Sequence, residues 1–314
     1  MLKGYAMKNP VFEKGFFPVS DGHKLYYERF GNPKGVPIVF VHGGPGAGFE
    51  PRHRKFFNPN KHNVLFYDQR GATKSRPFAT LKDNNTWKLV EDMKKLIDSF
   101  FGKKVYLVGG SWGSTLALVY GISHPEAVEG MVLRGIYLAT KEEDKHYTEG
   151  GIAPFFPEVW DRFSKLVPKH RRKDAITFFD EQIQSKNNAV KNKYTFEWSF
   201  YEFCIARLNL DTAKVRKEMK KDPFYKSMSP LETHYISNKC FLPDNFILNN
   251  AGKIRNMPVS LINGRYDMIC PPISAYRLHK VLPKSKLTFT IAGHLQSEKH
   301  TQKVMIDEIK RLCV

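Results

Sequence analysis

The sequence predicts an α/β protein: a mostly parallel central sheet flanked by helices, with a helical insertion in its second half. Three observations carry this. In the first 140 residues, short continuous apolar runs alternate with helix-like stretches, the pattern of parallel strands buried on both faces. From about 140 to 250 the chain turns polar, aromatic and basic, and its periodicity is mostly helical. Strand-like runs then return before the C-terminus.

The elements follow in order. Residues 36–41, 64–67, 105–108 and 128–133 read as buried strands. Residues 84–101 have helical spacing, with Trp87, Val90, Met93, Leu96 and Ile97 on one face, and 114–123 continue as a second helix. Helices are expected at 153–166, 173–184 and 196–208, strands at 259–262 and 287–291, and a closing helix at 297–311. The simplest organisation is a core over 1–139, a helical cap over 140–252 and the rest of the core over 253–314.

Composition narrows the class. The chain has 314 residues, 41% hydrophobic and 26% charged, enough to bury a core without staples. No apolar run reaches the ~18 residues of a membrane span, so no membrane association is expected. Residues 1–17 show neither an apolar h-region nor a small-residue cleavage site, so no secretory signal is expected. Four scattered cysteines without CxxC spacing suit the reducing cytoplasm. The net charge of +19 raises nucleic-acid binding, with the densest basic stretch at 165–173. No zinc-finger spacing or RNP-like aromatic pattern accompanies it, so the charge is read as a solvated face and no nucleic-acid partner is expected.

The chemistry centres on Gly109-Gly110-Ser111-Trp112-Gly113, placed where a strand meets a helix. A serine that attacks a carbonyl projects from a sharp turn, and side chains two positions either side would clash across it, so glycine stands at 109 and 113. Ser111 is therefore read as a nucleophile. His42-Gly43-Gly44-Pro45-Gly46 follows an earlier strand, where α/β hydrolases place a second oxyanion donor; the two donors are assigned as the N–H groups of Gly44 and Trp112. The Lys-Ser/Thr ending of a phosphate loop is missing, and His42 is read as structural. Among eleven histidines, His294 alone follows the last strand, and Asp267 lies after the strand before it. The order Ser111, Asp267, His294 is that of a serine-hydrolase triad on this kind of sheet, with His294 as general base and Asp267 as its orienter.

These residues, with Asp68-Gln69-Arg70-Gly71, Gly264-Arg265-Tyr266-Asp267 and Gly293-His294, resemble the marks of the proline iminopeptidases. The resemblance runs from about Phe17 to the C-terminus. It implies an α/β-hydrolase fold with an inserted helical cap, and a serine aminopeptidase that releases N-terminal proline from short peptides with a free N-terminus. It implies no metal or organic cofactor. In the insertion, Trp198-Ser199-Phe200-Tyr201-Glu202 is similar to the family's WxxWE stretch and Glu232-Thr233-His234-Tyr235 to its E-x-H-Y stretch, which implies that Glu202 and Glu232 receive the charged imino group. Composition alone would leave both glutamates on the surface. Three positions depart from the family: Thr73 for a glycine, Tyr201 for the second tryptophan, and Leu295 for a serine. Cys270 matches a cysteine often found beside the triad and is expected near it without a catalytic part. An esterase, amidase or broader aminopeptidase is the alternative activity. A non-catalytic binding protein on the same fold is more distant, because all three triad candidates are present.

Overall fold

The computed structural model describes residues 10–314, so the first nine residues of the segment read for a signal sequence lie outside the described residues. Strands β1 (Val11–Pro18) and β2 (Lys24–Gly31) form an antiparallel hairpin. The expected series then follows: β3 (Val36–Val41), β4 (His62–Tyr67), α1 (Thr86–Phe100), β5 (Val105–Ser111), α2 (Trp112–Ser123) and β6 (Val128–Ile136). Seven helices come next: α3 (Lys141–Thr148), α4 (Pro157–Lys165), α5 (Ala175–Ile183), α6 (Asn188–Ile205), α7 (Thr212–Lys221), α8 (Tyr225–Ser237) and α9 (Phe246–Asn250). The chain closes with β7 (Val259–Gly264), α10 (Pro272–Val281), β8 (Ser285–Thr290) and α11 (Lys299–Leu312).

The eight strands make one sheet in the order β1-β2-β4-β3-β5-β6-β7-β8. β2 pairs antiparallel with β4, and every pair from β4 to β8 is parallel. Helices α1, α2 and α10 cover one face with Met93, Leu96, Leu116 and Leu278. Helix α11 and the turn at Pro51–Phe56 cover the other with Met305, Ile309 and Phe56. Helix α2 is buried on all sides from Trp112 to Ile122, as an almost wholly apolar helix must be. The cap has its own cluster, in which Phe163 stacks on Tyr201 with ring centres 4.0 Å apart and on Phe179 at 4.8 Å.

Differences from the sequence expectations have local causes. The β1–β2 hairpin was not expected: alternate residues of β1 are exposed, so it offers no continuous apolar run. Trp87 is 40% exposed rather than buried, its indole N–H donating to the Phe241 carbonyl at 3.1 Å, and Leu89 completes the buried face of α1. Helix α4 starts at Pro157, well inside the expected span, because proline is favoured in a helix's first turn. Helix α6 begins eight residues early, at an Asn187 side chain that accepts from the Ala189 and Val190 amides; its first turns are polar and show no apolar stripe.

Candidate active site

Parallel strands β5 to β8 bring their C-terminal ends to one edge of the sheet, and the candidate residues lie on the turns that leave it. Ser111 closes β5 and caps α2 with φ 58° and ψ −132°. That conformation costs a non-glycine residue roughly 1–3 kcal/mol, and the surrounding packing enforces it. A side chain on Gly109 would lie 2.5 Å from the Gly113 carbonyl oxygen, and one on Gly113 would lie 2.1 Å from that of Val41. The Gly109 clash lies across the elbow, as anticipated, whereas that of Gly113 is against the end of β3.

Asp267 and His294 meet beside it. The His294 Nδ1 donates to Asp267 Oδ2 at 2.8 Å, and both residues are buried. Asp267 Oδ1 accepts from the amides of Ile269 at 3.0 Å and Cys270 at 2.8 Å. With Nδ1 carrying the proton, the opposite nitrogen of the ring is left as an acceptor. Ser111 and His294 line the same cleft. Cys270 lies beside this pair, and burial followed by the Asp267 charge pushes its thiol far up, which keeps it protonated and unreactive.

The glycine loop after β3 packs against Ser111: a side chain on Gly43 would lie 3.2 Å from the Ser111 Cβ. Three side chains hold this loop to the elbow. The Trp112 indole donates to Gln69 at 2.9 Å, the Gln69 amide donates to the His42 carbonyl at 2.9 Å, and the Gln69 backbone N–H donates to His42 Nε2 at 2.9 Å. Burial pushes His42 down to about 4, so it stays neutral as this network requires. Gly44 lines the pocket with Ser111. Thr73, where a glycine is usual in the resembling family, has a left-handed φ of 31° and donates its hydroxyl to Asp68.

The two cap glutamates are buried, Glu202 at 8% and Glu232 at 6% exposed, against the surface positions composition alone suggests. They converge from α6 and α8. The Trp198 indole donates to Glu232 at 2.7 Å, and the Tyr147 hydroxyl donates to Glu202 at 3.3 Å. Burial, then the neighbouring Glu202, pushes Glu232 well above the usual carboxylate range. Glu232 lines the pocket that holds Ser111, Gly44 and Tyr147. Tyr201, in place of the family's tryptophan, donates to the Tyr147 carbonyl at 2.6 Å.

Several residues here were not expected from the sequence. Arg134, buried at the end of β6, donates to the His294 carbonyl at 2.6 Å. Gly135 has φ +55°, and a side chain on it would press within 3.0 Å of the His294 ring. A charged residue followed by glycine at the end of an apolar parallel strand is the signal for this pair. Asp144, which burial pushes up to about 7, accepts from the Tyr137 hydroxyl at 2.9 Å, and both line the pocket with Ser111. Nothing in the local sequence marks it. The cap also grips the His294 loop directly. The His294 N–H donates to the Ala206 carbonyl at 2.8 Å, and Glu298 accepts from Leu208 of the cap at 2.9 Å and from Gly293 at 2.6 Å.

Among the described residues no group of three or more histidine, cysteine or acidic side chains is placed to hold a metal, and no helix is long and apolar enough to cross a membrane.

The profile of the α/β hydrolase fold matches residues 36–301. The chain is 37% identical to a probable proline iminopeptidase of Leptolyngbya boryana over 96% of this chain and 94% of that one. It is 40% identical to a proline iminopeptidase of Arabidopsis thaliana over 94% of this chain and 78% of that one. Among solved structures it resembles an esterase of Exiguobacterium antarcticum (TM-score 0.61, 18% identity, 96% and 99% of the two chains covered). It also resembles a proline iminopeptidase of Mycobacterium smegmatis (TM-score 0.59, 15% identity, 96% and 97% covered). At these identities the structural likeness speaks to the fold alone. The sequence likeness is stronger and spans nearly the full length, and by it the chain belongs to the proline iminopeptidase family of α/β hydrolases.

Proposed function

We propose that this protein is a serine aminopeptidase that releases proline from the free N-terminus of short peptides. The observation that carries the reading is the buried Glu202–Glu232 pair at the pocket into which Ser111 opens. Two carboxyls withdrawn from water have no use for an acyl group alone. They suit a cation held a fixed distance from a reacting carbonyl, and they reject a substrate whose amine is blocked. Tyr147, Ile236 and Ile269 line the pocket around them and suit an apolar ring.

In this reading Ser111 attacks the proline carbonyl as His294 takes its proton. Asp267 holds the ring in the required tautomer and stabilises the imidazolium. The amides of Gly44 and Trp112 receive the oxyanion at the end of α2. The leaving amine takes the proton from His294, and water then releases proline from the acyl-enzyme by the reverse steps. Four unpaired, buried thiols support a reducing compartment, the cytoplasm.

Proline arylamide and its N-acetyl derivative test the reading. The substrate with the free secondary amine is hydrolysed and the blocked one is not, and a fluorophosphonate labels wild type but not Ser111→Ala. Equal hydrolysis of the two substrates would assign the protein to the esterases or amidases instead.

A further inference from the structure

The cleft that holds Ser111 and His294 does not end at the catalytic residues. Glu50, Arg52, Phe203, Phe224 and Leu295 line it and also line the adjoining surface cleft, so the two form one corridor. Its outer part has a volume of about 520 Å³, within the ~300–1,000 Å³ typical of small-molecule sites. The corridor runs between α6 and α7 of the cap on one side and the loops after β3 and β8 on the other. It leads away from Ser111, so a peptide whose imino end sits at Glu202 and Glu232 has this way out for the chain beyond the scissile bond.

The wall changes character along its length. Near Ser111 it carries Phe203 and Phe224, with ring centres 5.2 Å apart. Further out it is formed by α7, whose ten residues include Lys214, Arg216, Lys217, Lys220 and Lys221 against a single acid, Glu218. Lys214 and Lys221 line the corridor, seven residues apart and so on one face of the helix. Arg52 and Arg207 are already paired with Glu50 and Glu218. Lys214 and Lys221 have no ion-pair partner among the described residues, and Asp222 is the remaining acid of the lining. Two or three extended residues beyond the scissile bond span about 7–10 Å, which directs a short peptide's C-terminus along the corridor toward this outer part.

We propose that this corridor binds the leaving part of the substrate. The Phe203–Phe224 pair contacts the side chain that follows the scissile bond, and Lys214 and Lys221 attract the free C-terminal carboxylate of a short peptide. The proposal rests on the aminopeptidase reading above and adds a preference to it: short peptides with a free carboxylate over the same peptides with an amidated end.

The test compares kcat/KM for Pro-Phe-Gly and Pro-Phe-Gly-amide at low ionic strength. The acid is favoured about fivefold, in keeping with one partly exposed charge contact. The ratio falls to about one in 0.5 M salt and in Lys214→Gln/Lys221→Gln. Lys217→Gln/Lys220→Gln, which removes equal charge from the same helix outside the corridor, keeps the ratio. Equal rates for acid and amide in wild type overturn the proposal, as does a ratio that survives the first double variant or is lost in the second. Proline arylamide has no C-terminal carboxylate and reports the underlying activity by itself. Its turnover with equal acid and amide rates rejects the corridor alone, and its absence rejects both readings.

Discussion

Burial, then the neighbouring Glu202, holds Glu232 well above the usual carboxylate range, so the pair keeps a proton to higher pH than an exposed carboxylate would, and an arriving cation must displace it. Binding of the protonated secondary amine therefore releases a proton, and KM for proline arylamide falls as pH rises, by at most about tenfold per unit while the pair is protonated. In Glu232→Gln this slope flattens and KM rises about tenfold or more, while Ser111 still reacts with a fluorophosphonate. Steady-state kinetics between pH 6 and 8 measure both effects. At this scale the sequence was legible where a motif fixes an atom's place. Ser111, Asp267 and His294 each stand at a strand end with a characteristic neighbour. Glu202 and Glu232 were legible only through family likeness, because their burial depends on how α6 and α8 cross. The Arg134-Gly135 ending of β6 marks a position but not its partner 160 residues away, and nothing local marks Asp144.

Between elements, Arg70 joins the loop after β4 to α1 and to the turn after β1. All five of its N–H groups find acceptors. Nε and Nη2 hold Asp92 at 2.6 and 2.9 Å, Nη2 also meets Ser20 at 2.7 Å, and Nη1 meets Asp83 and Asp21 at 2.6 and 3.0 Å. Its side chain is fully buried. Asp92→Asn leaves that cation with only the part-exposed Asp21 as its charge partner and lowers stability by about 3 kcal/mol, measured by urea denaturation, whereas Arg70→Met/Asp92→Leu costs less. Strands β3 to β6 and helices α1 and α2 were legible because burial on both faces writes continuous apolar runs. The edge hairpin and the first half of α6 were not. Their stability comes from pairing and packing with distant elements, which leaves a half-polar sequence without a period to read.

The whole molecule has separate apolar clusters, those flanking the sheet and that of the cap. Phe163 is central to the cap cluster, stacked between Phe179 and Tyr201. Phe163→Ala costs about 3–5 kcal/mol there. The expected result is an early unfolding step in urea in which proline arylamide turnover and fluorophosphonate labelling of Ser111 are lost together, because the freed cap no longer holds the His294 loop, while the amides of β3, β5 and β6 keep their hydrogen-exchange protection. Loss of that protection in the same step would mean that cap and sheet unfold as one unit. A cap was legible from the change in composition after residue 140, but its attachment to the sheet was not, and that attachment has a consequence. The carbonyl of Ala206 in the cap holds the His294 amide, and Glu298 ties Leu208 of the cap to Gly293. A cap displaced far enough to admit a folded chain therefore releases the loop that carries the proposed base. Widening the entrance and disarming the chemistry are one movement, so the cap works as an interlock as well as a size filter.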